Sequence, residues 1–314
     1  MQPSKNSSIP ARLSLRANGK LLLTGEYLVL KGAMALAIPV CFGQTMEVAS
    51  TDSGYVSWES HDDTGRWFYC KFHPKSFAIL DTDSDVLAQK LLSLLIAARR
   101  FNPAFLQGNG CNVTVNANYP LKWGLGSSSS VISLIARWAE IDSWALYKAY
   151  SNGSGYDLAC AETDSPIFYS LINGNREVKS VSPGEALRRY CYFAFLGNKQ
   201  DSSEEVATFL KNIEVTKADI GRITTLTIDI CAETEYRALC RMLDEHETIL
   251  SGILKKERLS ELRFSGFPGK VKSLGAWGGD FAMFVTEIPR QKLVSVLRDF
   301  GIVDTIFTFN ELIP

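Results

Sequence analysis

The stretch from Tyr119 to Ser130 constrains this chain more than any other. It reads Tyr-Pro-Leu-Lys-Trp-Gly-Leu-Gly followed by four serines. Upstream, Cys111, Val113, Val115, Ala117 and Tyr119 alternate with Asn112, Thr114, Asn116 and Asn118, the period of a strand with one buried face. Downstream, Val131, Leu134, Ile135 and Trp138 recur at helical spacing. A glycine-containing loop therefore runs from a strand into a helix N-terminus, where backbone N–H groups and the helix dipole favour an anion. Gly124 and Gly126 let the backbone approach a ligand closely, because no Cβ intervenes. Ser127 to Ser130 offer hydroxyls for phosphate or for magnesium. Glycine then serine before a helix is also an ordinary cap, although four serines exceed what one cap needs. The spacing is neither that of a Walker loop nor that of a dinucleotide fingerprint.

A chain of 314 residues, 46% hydrophobic, can build one large domain or two of ordinary size. A net charge of -1 gives no electrostatic case for nucleic acid or an acidic membrane. The 7 cysteines are scattered without a Cys-x-x-Cys pair and read as reduced core thiols of a cytoplasmic protein. His61, His73 and His246 have no metal-like spacing, which argues against a zinc hydrolase or a histidine-based triad. The first ten residues are polar and no apolar run reaches the length of a membrane span. Neither nucleic acid nor membrane is expected as a partner; the oligomeric state is left open.

Along the chain, Leu13, Leu15 and Ala17 open a first strand, and Ala35 to Pro39 begin another. Between them, β-rich runs flank Gly19-Lys20 and Gly25-Glu26, which places both polar pairs at strand ends or turns. His61 to Gly65 reads as a hairpin turn. Leu87, Leu91, Leu94, Leu95 and Ala98 mark one helix face, capped by Asp83 or Ser84. A further helix covers 143–150. Asp157 follows the glycine-serine loop 151–155, as a helix-end carboxylate or as an acid or base. Asn173-Gly174-Asn175 is a turn and a plausible domain boundary. Strands are expected near 190–196 and 302–307, helices through most of 204–262 and over 290–300. Lys270 to Phe284 reads as strand, glycine-rich turn and strand.

Four separated motifs now stand in order. They are Gly19-Lys20 with Gly25-Glu26-Tyr27, Pro120 to Ser128, Gly153-Ser-Gly-Tyr-Asp157, and Gly275-Ala-Trp-Gly-Gly-Asp280. Together they resemble the GHMP small-molecule kinases over nearly the whole chain. Within that family the details are most like phosphomevalonate kinase, and Gly-Tyr-Asp-Leu-Ala also resembles a bacterial branch named for Gly-Tyr-Asp-Ile-Ala (GYDIA). The resemblance implies an α+β, two-domain fold. Residues 11–174 would form an ATP-binding domain of the ribosomal-protein-S5 domain 2 type, and 175–314 a ferredoxin-like domain. It implies Mg2+ and ATP as cofactors and transfer of the γ-phosphoryl, with mevalonate 5-phosphate as the favoured acceptor. Mevalonate, a sugar or homoserine are the alternatives within the family. An inactive nucleotide-binding sensor is the alternative of another class.

Residue by residue, the resemblance assigns Gly124, Leu125, Gly126, Ser127, Ser128 and Ser129 to the nucleotide, with Ser128 on the metal. Asp157 and Lys20 become catalytic, Lys20 pairing with Asp157 or the transferred phosphoryl. Glu26, Lys199, Ser202, Gly275, Gly278 and Gly279 fall to the substrate side. Lys122 and Arg16 are further cations for a phosphate acceptor. Two positions depart from the pattern: Leu146 stands where mevalonate kinases carry a magnesium-binding Glu, and Trp277 where the glycine run usually has a small residue.

Overall fold

The computed structural model describes residues 12–197, 209, 211, 213–275, 277, 280–302 and 305–314. By contact, the chain divides into two compact units that are interleaved in sequence. The first holds the described residues of Met1–Gly19, Phe42–Leu121 and Gly126–Glu162, the second those of Lys20–Cys41, Lys122–Leu125 and Thr163–Pro314. The architecture is mixed α and β, as expected.

In the first unit, strands β3 (Val56–Asp62), β4 (Gly65–Phe72) and β5 (Ile79–Thr82) pair antiparallel in sequence order. β6 (Cys111–Ala117) runs parallel to β3 and antiparallel to the Gln44–Ser50 part of β2 (Ala35–Ser50). The alternation in β6 holds residue for residue: Cys111, Val113, Val115 and Ala117 are buried. Asp62 closes the β3–β4 turn by accepting from the Thr64 N–H and hydroxyl. Helix α1 (Asp85–Phe101) starts at Ser84, whose hydroxyl accepts from Leu87 N–H. Helices α2 (Ser127–Trp138), α3 (Ser143–Tyr150) and α4 (Tyr156–Ala161) complete the unit. Their apolar faces share one core with Trp58, Phe68 and Phe72.

Helix α2 departs from the expected one-sided pattern. Ile132 and Ala136 are buried as well as Leu134, Ile135 and Trp138, and so are Ser129, Ser130 and Ser133. With α1, α3 and α4 all packed on it, almost every side of α2 is interior, and small hydroxyl residues fit where neighbours come close.

The second unit holds a four-stranded antiparallel sheet in the order β10 (Lys270–Leu274), β11 (Phe281–Val285), β9 (Cys191–Phe195), β12 (Ile306–Thr308). Helices α5 (Glu185–Tyr190), α6 (Lys217–Ala232), α7 (Tyr236–Leu254), α8 (Leu259–Leu262), α9 (Arg290–Asp299) and α10 (Phe309–Leu312) accompany it. The unit also contains the hairpin of β7 (Ile167–Ile172) and β8 (Asn175–Ser180), turned at Asn173 and Gly174, both with positive φ. β7 pairs with Ala35–Ala37 of β2.

Two local expectations fail here. Gly19-Lys20 is not at a strand end, because β1 (Arg12–Thr24) continues through it, and Lys20 N–H bonds to the Leu125 carbonyl at 3.0 Å. Leu28–Lys31 is a 3-10 turn instead of a strand. Gly25, at φ +80°, lies so close to Met34 and Ala35 that a Cβ there would meet their backbone at 2.8 Å. The chain therefore folds back, and Val29 N–H bonds to the Gly25 carbonyl.

All 7 cysteines are free thiols, and Cys70, Cys111, Cys160, Cys191 and Cys231 are buried. Burial pushes Cys70 up to about 11 and Cys111 to about 12, which keeps them as unreactive thiols. Among the described residues, no helix is long and apolar enough to cross a membrane.

Candidate active site

The central loop begins in the second unit. Trp123 is buried and its ring packs against Phe195, Phe281 and Phe307, with centroids 5.8 to 6.2 Å away. That aromatic anchor fixes the position of Gly124, at φ +69°. A Cβ on Gly124 would lie 1.7 Å from the Asp280 carboxylate, so both conformation and space call for glycine. Lys20 donates from its ammonium to the Gly124 carbonyl at 3.0 Å, beside its backbone bond to Leu125. Three of the sequence motifs, the first, second and fourth, thus converge on one short stretch of loop.

The loop then enters α2 in the first unit. Its N-cap is Gly126, at φ 88°, and no side chain caps this end. The ordinary-cap reading therefore fails: all four serines lie inside the helix. Each does something different. Ser127 is half-buried and Ser128 exposed. Ser129, buried, donates to Asp157 Oδ2 at 2.5 Å. Ser130, fully buried, donates to Gln44 Oε1 at 2.8 Å.

Asp157 stands in the first turn of α4, behind Gly155 at φ 84°. It is half-buried. Besides Ser129, its Oδ1 accepts from the Tyr147 hydroxyl at 3.3 Å and from Leu158 N–H at 3.0 Å. Leu146, next to Tyr147 on α3, is fully buried in the core of the unit. That residue cannot serve a metal, and its burial explains why a carboxylate would be costly there.

Glu26 sits in a sealed cluster of the second unit with Lys272 on β10 and His246 and Glu247 on α7. All four are buried. Lys272 Nζ donates to Glu26 Oε1 at 2.5 Å and to Glu247 Oε1 at 3.0 Å. Gly25 N–H donates to His246 Nε2 at 3.1 Å. One ammonium thus serves two carboxylates. Burial raises Glu26 to about 7 in spite of Lys272. Burial works against ionisation of Glu247 too, but Lys272 and His246 together outweigh it and hold that acid below its usual range. Burial, then Lys272, pushes His246 down to about 4. Glu26, which the resemblance assigns to substrate, has its carboxylate turned into this cluster. Sequence reading missed Lys272, Glu247 and His246 as its partners, since they lie more than 200 residues away and no local pattern marks them.

Trp277 is buried as well. Its indole N–H donates to the Glu257 carbonyl at 2.8 Å, and its backbone N–H to the Tyr27 hydroxyl at 2.9 Å. The buried ring is held by Glu257, while the backbone of Trp277 makes the tie to the Gly-Glu-Tyr turn. Gly275 has φ +72° and open space where a Cβ would stand. Lys122 and Arg16 are exposed. Lys199, Ser202, Gly278 and Gly279 lie outside the described residues.

No family model matches the chain, and no curated protein matches it in sequence. Solved structures do. A mevalonate kinase aligns with TM-score 0.69 at 15% identity, covering 94% of this chain and 98% of its own. Streptococcus pneumoniae phosphomevalonate kinase, in complex with phosphomevalonate and AMPPNP, gives 0.67 at 18%, covering 95% and 98%. Lactococcus lactis galactokinase complexed with galactose gives 0.67 at 12%, covering 96% and 94%. The chain has the two-domain α+β fold of the GHMP kinases.

Proposed function

We propose that this protein is an ATP-dependent small-molecule kinase that transfers the γ-phosphoryl group to mevalonate 5-phosphate. The observation that carries the reading is the central loop: two glycines at positive φ, Lys20 bonded to the Gly124 carbonyl, and a helix N-terminus that no side chain caps. Such an end favours a phosphate. Phosphoryl transfer asks mainly for positioning and charge neutralisation, and the loop backbone with Lys20 supplies both.

The donors present fit a magnesium ion carried in largely by its nucleotide. Ser128 offers an exposed hydroxyl on the first turn of α2, and Leu146 offers nothing. Among the described residues no group of three His, Cys, Asp or Glu side chains forms a metal site. Magnesium suits that arrangement, since it usually takes one or two protein ligands and completes its shell with phosphates and water. When bound it would neutralise charge on the transferring group.

Asp157 is the acid or base of the reading. With an alcohol acceptor it would take the hydroxyl proton. A phosphate monoester is already largely ionised at neutral pH, its second pKa being about 6, and there Asp157 would orient the acceptor instead. The three structures above do not separate these acceptors, their TM-scores being 0.69, 0.67 and 0.67. The test is ADP release from Mg-ATP with mevalonate and mevalonate 5-phosphate side by side. Turnover only with the phosphate supports the reading. Turnover only with mevalonate moves the acceptor to an alcohol, and no turnover with either overturns the reading.

A further inference from the structure

Resting on the kinase reading, we infer that Tyr147 is a positioning residue for Asp157. Three parts of the first unit meet at its hydroxyl. It lies on α3 and reaches Asp157 Oδ1 at the start of α4, 3.3 Å away. The loop between the two helices passes directly over it: a Cβ on Gly153 would lie 2.5 Å from the Tyr147 oxygen. The ring itself is buried and stacks on Trp144, with centroids 5.5 Å apart and planes 16° from parallel. A phenol stacked on one ring and hemmed in by the loop at its oxygen has little freedom to swing, so it fixes one carboxylate oxygen while Ser129 fixes the other at 2.5 Å.

The chemistry of these donors matters. Asp157 is gripped from opposite sides by neutral hydroxyls, and among the hydrogen bonds described its partners include no cation. Neutral donors orient a carboxylate without cancelling its charge, whereas a salt bridge would do both. A half-buried carboxylate held in this way is oriented by its donors and still open to an acceptor. Position 147 also follows Leu146, where the chain gives its core a leucine. On this helix, then, the link to the reacting end runs through a phenol and not an acid.

The test is a kinetic cycle with Mg-ATP and whichever of mevalonate 5-phosphate or mevalonate the wild type turns over. Tyr147→Phe keeps the ring and removes only the hydroxyl. Its kcat should fall about 10- to 100-fold, in line with one lost hydrogen bond to a charged group. The KM for ATP should stay within about twofold, since Tyr147 would act only through the acid. In an Asp157→Asn background, Tyr147→Phe should cost nothing further. An unchanged kcat in Tyr147→Phe overturns the inference, as does an equal loss in both backgrounds, which would mark a merely structural tyrosine. Urea unfolding of the four proteins guards against misfolding: similar midpoints for wild type and Tyr147→Phe are expected, and a loss of kcat that tracks a falling midpoint also overturns the inference. If Asp157→Asn turns over like wild type, or wild type turns over neither acceptor, the kinase role of Asp157 fails and the inference falls with it.

Discussion

Glu26 and Asp157 are both carboxylates gripped by hydrogen bonds next to a motif of the sequence, yet they are built for opposite ends. Glu26 is sealed from water and bonded to the Lys272 ammonium. Asp157 is half-exposed and bonded to two hydroxyls and a backbone N–H. In the sealed cluster burial is the dominant force, so one proton too many or too few is decided inside the protein. At Asp157 the geometry is fixed while the charge stays near solvent. The contrast teaches that a motif carboxylate is assigned by its partners and its exposure, which residue type alone does not give.

The largest expected effect tests the open carboxylate. With an alcohol acceptor, Asp157→Asn should lower kcat on the order of 100- to 10,000-fold, the range of general base catalysis. With mevalonate 5-phosphate the loss should be smaller, because that acceptor has little proton left to lose. Steady-state kinetics on both acceptors decides it, and a full-size loss with the phosphate acceptor would contradict the orienting role.

Next comes the sealed cluster. Lys272→Met strands two buried carboxylates and should destabilise the fold by about 3–5 kcal/mol, read from urea midpoints. A variant as stable as wild type would mean that the cluster contributes no more than a hydrophobic contact does.

Gly124→Ala tests the loop that the second unit anchors. The φ of +69° costs an alanine roughly 1–2 kcal/mol, and the new methyl must push the Asp280 side chain aside. Stability should drop by about that amount and ATP should bind more weakly, both measurable by thermal shift with and without nucleotide. If neither quantity changes, the close approach of Asp280 does not matter to the loop.

The smallest effect is the most diagnostic of the comparison. Glu26, raised by burial from 4.5 to about 7, adds stability that is full below 4.5 and lost as pH rises through about 7. His246, depressed by burial from 6.5 to about 4, adds stability that is full above 6.5 and lost as pH falls through about 4. Between 4.5 and 6.5 the two slopes oppose each other: unfolding moves one proton from Glu26 to His246 and releases almost none. Glu247, held low by Lys272 and His246, adds its own loss on the acid side. Glu26→Gln removes one of the two opposing slopes. Over pH 5 to 6 its stability relative to wild type should climb with pH by about 1 kcal/mol per unit. Parallel stability curves for the two proteins would show that Glu26 is ionised in the fold like any exposed glutamate.

Much of the molecule was legible before any coordinates. Period-two alternation gave β6, the serine cap gave the start of α1, and 143–150 is a helix at both its ends. These succeed because each rests on neighbours in sequence: a strand face, a cap, a turn. The failures share a cause as well. Gly19-Lys20 looked like a strand end, but the strand continues because Leu125, far along the chain, accepts its hydrogen bond. The one-sided face expected of α2 became interior on almost every side because three other helices pack on it. Trp277 stands where the glycine run usually has a small residue, and only the structure shows its indole N–H bonded to the Glu257 carbonyl.

What the sequence determined by itself was the order of elements, the loop with its two glycines, and the short set of residues able to bear phosphoryl chemistry. Those follow from periodicity and residue type, which are local. Only the tertiary structure decided which of the four serines faces solvent and which holds Asp157, that Tyr147 reaches the same carboxylate, and that Glu26 is closed in with Lys272, His246 and Glu247. Burial and hydrogen-bond partnership depend on chain segments from 10 to 246 residues apart meeting in space. A carboxylate's surroundings set its charge and orientation, and no local pattern encodes them.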